Sequence, residues 1–144
     1  MTAVVEYAGN DLFIGISPSG HAHLLDTKSE GKSAPSPVEM LLSALGACTG
    51  TDVVSILAKK RQRVTSYRVE VKGDRREEFP RSFRRIELHH IIRGYGVSKD
   101  AVASAIELSD KKYCSVAASL RPTAEISSTF EIIEETAKAA SPDA

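Results

Sequence analysis

A long apolar stretch, residues 36–57, constrains this sequence more than any other feature, and it carries Cys48 in its middle. Ser36 is a good N-cap residue, Pro37 suits the first helical position, and Glu39 completes an S-x-x-E capping box. Apolar residues recur along the stretch at helical spacing. The stretch therefore predicts one long helix that is apolar over more than one face.

Such a helix has to be covered on several sides. A single sheet covers only one side. Close approach of a second helix is favoured by small residues in the stretch, which are Ser43, Ala44, Gly46 and Ala47. We therefore expect a second copy of the chain to cover the remaining sides, with loops of the same chain as the alternative.

The composition argues against several function classes. The 144 residues carry a formal net charge of zero, so no sequence-wide attraction to nucleic acid or to an anionic membrane is expected. The first residues lack the pattern of a secretory signal. No membrane span is predicted, because polar residues interrupt the apolar run at Ser43, Thr49, Thr51, Asp52 and Ser55. The expected location is the cytoplasm, where cysteines are usually free or redox-active thiols.

Short strands are predicted before the helix. Three β-rich segments are separated by Gly, Asn, Asp and Pro residues, a pattern typical of an antiparallel meander, at 3–7, 12–16 and 21–26. After the helix, two segments alternate apolar and polar residues, 67–72 and 86–92. Ser98 then caps a second predicted helix.

The last part of the chain contains the second cysteine. A short helical piece is predicted from Cys114 to Leu120, and Pro122 ends it. Residues 124–132 alternate as a final strand. The order of elements predicts an α+β fold with an antiparallel sheet wrapped round the long central helix. We expect one domain over residues 1–144, with its core at about 4–133 and a frayed tail at 136–144.

The two cysteines, Cys48 and Cys114, form no C-x-x-C motif and show no zinc-ligand spacing. Buried cysteines often serve only as small apolar residues, which is one interpretation. Two features favour a chemical role. Cys48 has polar neighbours in the helix, and Cys114 lies at the start of a helical turn, where the helix dipole would lower the pKa of its thiol. Two thiols that meet could pass through a sulfenic acid to a disulfide.

Glu39 and two basic or imidazole-rich segments allow more than one interpretation. Glu39 caps the helix, and it could also hold a guanidinium group near the thiol. His21 and His23 share one face of a predicted strand, but no third ligand is near, so polar strand positions are favoured and no metal is expected. An arginine-rich segment, 75–85, is interrupted by Glu77 and Glu78. For it a solvated hairpin is favoured over a nucleic-acid patch.

Three segments together resemble one known family. Residues 36–49 look like the central helix of the osmotically inducible and organic hydroperoxide resistance proteins, the OsmC/Ohr family. Residues 112–116 resemble the second cysteine motif of that family, and 79–83 resemble its P-x-x-F strand entry. The resemblance covers roughly residues 4–133 and includes the order of elements.

The resemblance implies an entwined homodimer and a thiol-dependent reductase of organic hydroperoxides in oxidative-stress defence. Cys48 would be the thiolate that the peroxide oxidises, and Cys114 would close a disulfide with it. Glu39 would be the glutamate that holds an activating arginine. The implied partners are a second copy of the chain, an organic hydroperoxide and an external dithiol or lipoyl-type electron donor. No bound cofactor is implied.

The chain departs from that family at the activating arginine. Characterised peroxidases of the family carry it in the N-terminal strands, whereas here no arginine precedes Arg61 and only Lys28 and Lys32 are basic in that region. A lysine acts as a point charge and cannot form the planar bidentate pair with a carboxylate. The alternatives are therefore a redox-sensing or small-molecule-binding protein of the same fold, or a dimeric scaffold whose cysteines belong to the core.

Overall fold

The computed structural model describes residues 1–136 of the chain. Its regular elements, in chain order, are β1 (Val4–Gly9), β2 (Leu12–Ile16), β3 (Ala22–Asp26), α1 (Pro37–Lys59), β4 (Arg63–Arg75), β5 (Phe83–Tyr95), α2 (Lys99–Leu108), a π-helical turn (Ser109–Tyr113), α3 (Ser115–Leu120) and β6 (Glu125–Glu134). The predicted α+β class is confirmed. The predicted tail at 136–144 lies outside the described residues apart from its first position.

The backbone divides into two compact units, residues 1–43 and the chain from Ala44 onward. In the first unit β1, β2 and β3 form the predicted antiparallel meander. The turn between β1 and β2 is tight because Asn10 and Asp11 both adopt positive φ values, 55° and 60°, as residues with short polar side chains can. That turn brings the rings of Tyr7 and Phe13 to 5.2 Å between their centroids.

The loop after β3 is held by one carboxylate. Asp26 is fully buried and accepts hydrogen bonds at 2.9 Å from the backbone amides of Lys28 and Ser33. The Ser33 hydroxyl donates a third bond at 3.1 Å. These bonds, led by that of the Ser33 amide, lower the pKa of the Asp26 carboxyl. The two ends of the loop are therefore tied to the end of β3.

The helix α1 begins as the sequence predicts. The Ser36 amide donates to the Glu39 carboxylate at 2.6 Å, and the Glu39 amide donates to the Ser36 hydroxyl at 3.2 Å. This reciprocal pair is a capping box, and it satisfies amides that the first turn leaves without helical partners. The helix ends at Lys59, after which Arg61 adopts a φ of 56° and turns the chain towards β4.

The second unit contains a sheet in the order β4-β5-β6. β4 and β5 form a long antiparallel hairpin, and both strands extend beyond the predicted alternating segments. β6 pairs with β5 in parallel, which corrects the prediction of one antiparallel sheet for all six strands. The reason is the connection: α2, the π-helical turn and α3 separate β5 from β6, long enough to return the chain to the edge of the sheet in the same direction.

Two glycines let α1 lie close to β4. A Cβ atom at Gly46 would lie 3.0 Å from a methyl group of Val71, and one at Gly50 would lie 3.0 Å from the ring of Tyr67. A larger residue at either position would crowd the side chain of Val71 or Tyr67. Beside this contact, Val53 and Leu57 of α1 are fully buried in the main core cluster together with Ile92, Val102 and Ala105.

α1 is long and apolar enough to cross a membrane when only length and composition are considered. Its most apolar 18-residue window has a mean hydropathy of 1.6, and a third of that window is buried within the chain. Core helices of globular proteins have the same properties, so this finding does not place the chain in a membrane. It does mean that much of an apolar helix is exposed on a single chain.

The sheet contains one buried histidine. His90 is fully buried on β5, and its Nδ1 atom lies 2.7 Å from the hydroxyl of Tyr67 on β4. Its Nε2 atom has no hydrogen-bond partner among the described residues. Burial, with a smaller contribution from the charge of His89, lowers the pKa of His90 to about 4. The imidazole is therefore neutral in the folded chain at neutral pH.

This burial predicts a loss of stability in mild acid. In the unfolded chain the imidazole takes up a proton near pH 6.5, whereas the folded chain takes it up only near pH 4. The unfolded state therefore binds more protons between these values, and the free energy of unfolding should fall as the pH falls through that window, by up to roughly 3 kcal/mol. Urea unfolding at a fixed protein concentration, between pH 7.5 and pH 4, measures this.

The control is a pair of variants. His90→Asn retains a polar partner for Tyr67 and should flatten the pH dependence, while His21→Asn, at an exposed histidine, should leave it unchanged. Equal slopes for His90→Asn and the wild type would contradict the assignment.

Candidate thiol site

The fold brings the two cysteines together although they are far apart in the sequence. Cys48 is half-buried in the middle of α1, and Cys114 is buried immediately before α3, with 4% of its surface exposed. Both are free thiols. The Cys48 thiol is near enough to the Cys114 thiol to contribute, after burial, to the raised pKa of Cys114. A half-buried thiol and a buried thiol are thus neighbours in the fold.

Two donors point at the sulfur of Cys114. The Thr49 hydroxyl, on α1, donates to Sγ at 3.5 Å, and the Ala117 backbone amide, in the first turn of α3, donates at 3.4 Å. Thr49 is itself buried, with 5% of its surface exposed. The Cys114 amide donates to the carbonyl of Ser109 at 2.9 Å, so the π-helical turn fixes the backbone of the cysteine.

The pKa of the Cys114 thiol is raised, which overturns the prediction that a helix N-terminus would lower it. Burial is the largest cause, because a thiolate loses solvation in the interior. The hydrogen bonds from Thr49 and Ala117 lower the pKa but do not outweigh burial. α3 has only six residues, so its dipole is small. Cys114 is therefore a protonated thiol at neutral pH in the reduced chain.

A polar pair beside the thiols joins α1 to the π-helical turn. The hydroxyl of Ser109, which is fully buried, donates to the carboxylate of Asp52 at 2.8 Å. Asp52 follows Cys48 by one helical turn and shares its face of α1. The contact between Ser109 and Asp52 could not be predicted, since it depends on the π-helical turn.

Glu39 acts as the cap of α1. The bonds from the Ser36 amide and hydroxyl are the main causes that lower the pKa of its carboxyl, and the charge of Lys32 adds a smaller effect in the same direction. Within residues 1–136, the ion pairs formed by arginines involve other carboxylates, not Glu39. The capping interpretation is confirmed, and a role for Glu39 near the thiol stays a prediction.

The other histidine and arginine segments take part in local structure. His21 precedes β3 and its Nδ1 atom lies 2.9 Å from the Ser19 hydroxyl, while the ring of His23 packs over Gly15. In the part of the chain that the structure describes, no three His, Cys, Asp or Glu residues are grouped to hold a metal. In the β4–β5 hairpin, Arg75 donates to the carbonyl of Arg81 at 2.7 Å.

Comparisons with known proteins agree with this fold. A family model described as OsmC-like protein matches residues 29–129. Protein YhfA of Escherichia coli K12 is 46% identical over 133 residues, which are 92% of this chain and 98% of that protein. A hypothetical protein from Aquifex aeolicus VF5, known from its crystal structure, is 31% identical, with a TM-score of 0.83 over 94% of this chain and 97% of its own.

A third comparison concerns the fold alone. The organic hydroperoxide resistance protein OhrB of Bacillus subtilis is 12% identical, with a TM-score of 0.63 over 91% of this chain and 98% of its own. The match of the family model and the identity to YhfA go further, because they cover most of the sequence, including both cysteines. This chain belongs to the family of OsmC-like proteins.

Proposed function

We propose that the chain is a thiol-dependent peroxidase that reduces organic hydroperoxides, in oxidative-stress defence in the cytoplasm. The observation that supports this most is the proximity of the half-exposed Cys48 thiol to the buried Cys114 thiol. Buried cysteines with purely apolar roles do not need such a pairing, nor two hydrogen bonds directed at one sulfur. Similarity in fold to organic hydroperoxide resistance proteins is a further argument.

The proposed cycle begins at Cys48. Its thiolate attacks the distal oxygen of the hydroperoxide, the O–O bond breaks, and an alcohol leaves after taking up a proton. Cys48 is now a sulfenic acid, oxidised by two electrons. The sulfur of Cys114 then attacks that of Cys48: an S–S bond forms, the S–O bond breaks, and the departing hydroxide leaves as water with the proton of Cys114. An external dithiol or a lipoyl-type donor reduces the disulfide by thiol exchange.

The burial of the two thiols suits this division of roles. Cys48 is open enough to meet a substrate, whereas Cys114 is buried and protonated and so is protected from direct oxidation. We assign Glu39 an indirect part: its capping box fixes the first turn of α1, the helix that carries Cys48. The nearby positive charge of Lys32 contributes to lowering the pKa of the Glu39 carboxyl.

One observation favours a second candidate, a redox sensor or a small-molecule-binding protein of the same fold. Glu39 has no arginine partner within residues 1–136, so the planar bidentate pair that the resemblance implies is missing from the described chain. A sensor would still form the disulfide but would turn over slowly.

A turnover assay separates these candidates. With dithiothreitol as donor, the wild type should consume cumene hydroperoxide catalytically and Cys48→Ser should abolish turnover. Without a donor, Cys114→Ser should retain a single stoichiometric oxidation. Peroxide consumption and mass spectrometry of the protein measure both. One oxidation per wild-type chain without further turnover would favour the sensor, and equal behaviour of the wild type and Cys48→Ser would refute both.

We also propose that the chain forms a homodimer through α1. Beside the contact of α1 with β4 lies an open groove of about 630 Å³, whose α1 wall includes Gly46, Ala47, Gly50 and Val54. Val54 is 46% exposed on the single chain. Small and apolar residues along one face of a helix fit a second helix at close distance. A second copy of α1 would cover this face.

The dimer is tested by introducing a charge on this face. Ala47→Glu should shift the chain from dimer to monomer, because an unpaired carboxylate is costly to bury in an apolar interface. Ala103→Glu, at an exposed position of α2, is the matched control and should remain a dimer. Analytical ultracentrifugation at several concentrations measures the change. A monomeric wild type at all concentrations would exclude the dimer.

A further inference from the structure

The hydroxyl of Thr49 makes a contact that has no part in the catalytic cycle proposed above. Thr49 directly follows the half-exposed cysteine in α1, yet its side chain is buried and its Oγ1 atom lies 3.5 Å from the sulfur of Cys114, the other cysteine. A buried hydroxyl has several acceptors available in a helix, including the carbonyl four residues before it. Thr51, two residues further on, donates in this way to the carbonyl of Ala47, four residues before it, at 2.9 Å. Thr49 instead donates to a thiol.

A second donor reaches the same sulfur from the opposite element. The Ala117 amide lies 3.4 Å from Cys114 Sγ and belongs to the unsatisfied amides at the start of α3. The sulfur therefore accepts one bond from α1 and one from α3. Sulfur in a neutral thiol is a weak acceptor, whereas a thiolate is a strong one. An arrangement with two donors gains most when negative charge develops on this atom.

Resting on the proposed peroxidase, we propose that Thr49 is a positioning residue for the resolving step, in which its hydroxyl and the Ala117 amide hold the sulfur of Cys114 as that atom gives up its proton and attacks the Cys48 sulfenic acid. The bonds formed and broken are those of the disulfide step above, and the proton of Cys114 leaves with the hydroxide as water. Thr49 is neither oxidised nor reduced.

This role removes a conflict in the site. Burial keeps Cys114 protonated and protected in the reduced chain, but the same burial opposes the charge that the thiol must carry when it attacks. Hydrogen bonds from fixed donors offset that opposition without opening the site to water. Protection and reactivity can then coexist at one buried sulfur.

The test uses the thiolate itself, so it does not depend on peroxidase activity. In a Cys48→Ser background, thiolate absorbance in the ultraviolet is followed against pH, with Cys48→Ser/Cys114→Ser as the blank. Adding Thr49→Val, which keeps the shape but removes the hydroxyl, should raise the pKa of Cys114 by about 1. Adding Thr49→Ser, which keeps the hydroxyl, should leave it near the parent value.

The comparison isolates the hydroxyl because the other titratable groups near Cys114 do not change. Cys48 is absent in this background, Asp52 remains bonded to Ser109, and the charged residues of the π-helical turn, Asp110, Lys111 and Lys112, are common to all variants. Thr129→Val, at an exposed threonine of β6, controls for the exchange of threonine for valine. An unchanged pKa in Thr49→Val would overturn the proposal. If that variant does not fold, Thr49→Ala replaces it under the same criterion.

A second measurement follows the disulfide. With both cysteines present, one equivalent of cumene hydroperoxide is added, and closure is monitored by the loss of free thiol after the sulfenic acid has formed. Thr49→Val should slow closure about tenfold and leave the rate of the first oxidation unchanged, and Thr49→Ser should restore closure. Equal closure rates in wild type and Thr49→Val would overturn the proposal. Failure of Cys48 to react with hydroperoxide would refute the peroxidase instead, while the pKa comparison still decides the contact of Thr49.

Discussion

The close approach of α1 to β4 places the helix that carries Cys48 and Thr49. It exists because Gly46 and Gly50 carry no side chain where Val71 and Tyr67 press against the helix. A glycine inside a helix lowers the stability of the helix by about 1 kcal/mol relative to alanine, and α1 contains two such glycines, four residues apart. The same placement buries Val53 and Leu57 in the core and gives Thr49, on another side of the helix, its contact with Cys114.

Burial decides the chemistry at the thiols more than helix geometry does. A position at a helix N-terminus should favour a thiolate, but the short α3 and the enclosed setting of Cys114 reverse the expected effect. The same principle acts on His90, whose neutral form is favoured by its enclosed place in the sheet. In both cases the neutral state is favoured because charge is poorly solvated in the interior.

Local sequence was sufficient for the features whose contacts lie within a few residues. The capping box of α1 joins Ser36 to Glu39, and the N-cap bond of α2 joins Ser98 to Ala101. Both could be predicted because the partners are only three positions apart in the sequence. The parallel pairing of β6 and the bond between Ser109 and Asp52 join distant segments, and no local pattern specifies them. Family resemblance, not periodicity, predicted that Cys48 and Cys114 would be partners.

The hydrogen bonds to Asp26 leave the middle of the loop after β3 free to vary in sequence. Hydrogen bonds to the carboxylate of Asp26 come from Lys28 and Ser33, the two ends of the loop. The number of residues between these ends is therefore constrained more than the identity of most of their side chains. Substitutions at Ser29, Glu30 and Lys32 can then alter charge and shape at the surface while β3 keeps its end and the loop keeps its attachment, whereas the φ of 64° at Gly31 favours glycine there. Relatives could diversify this surface patch without redesigning the strands that carry it.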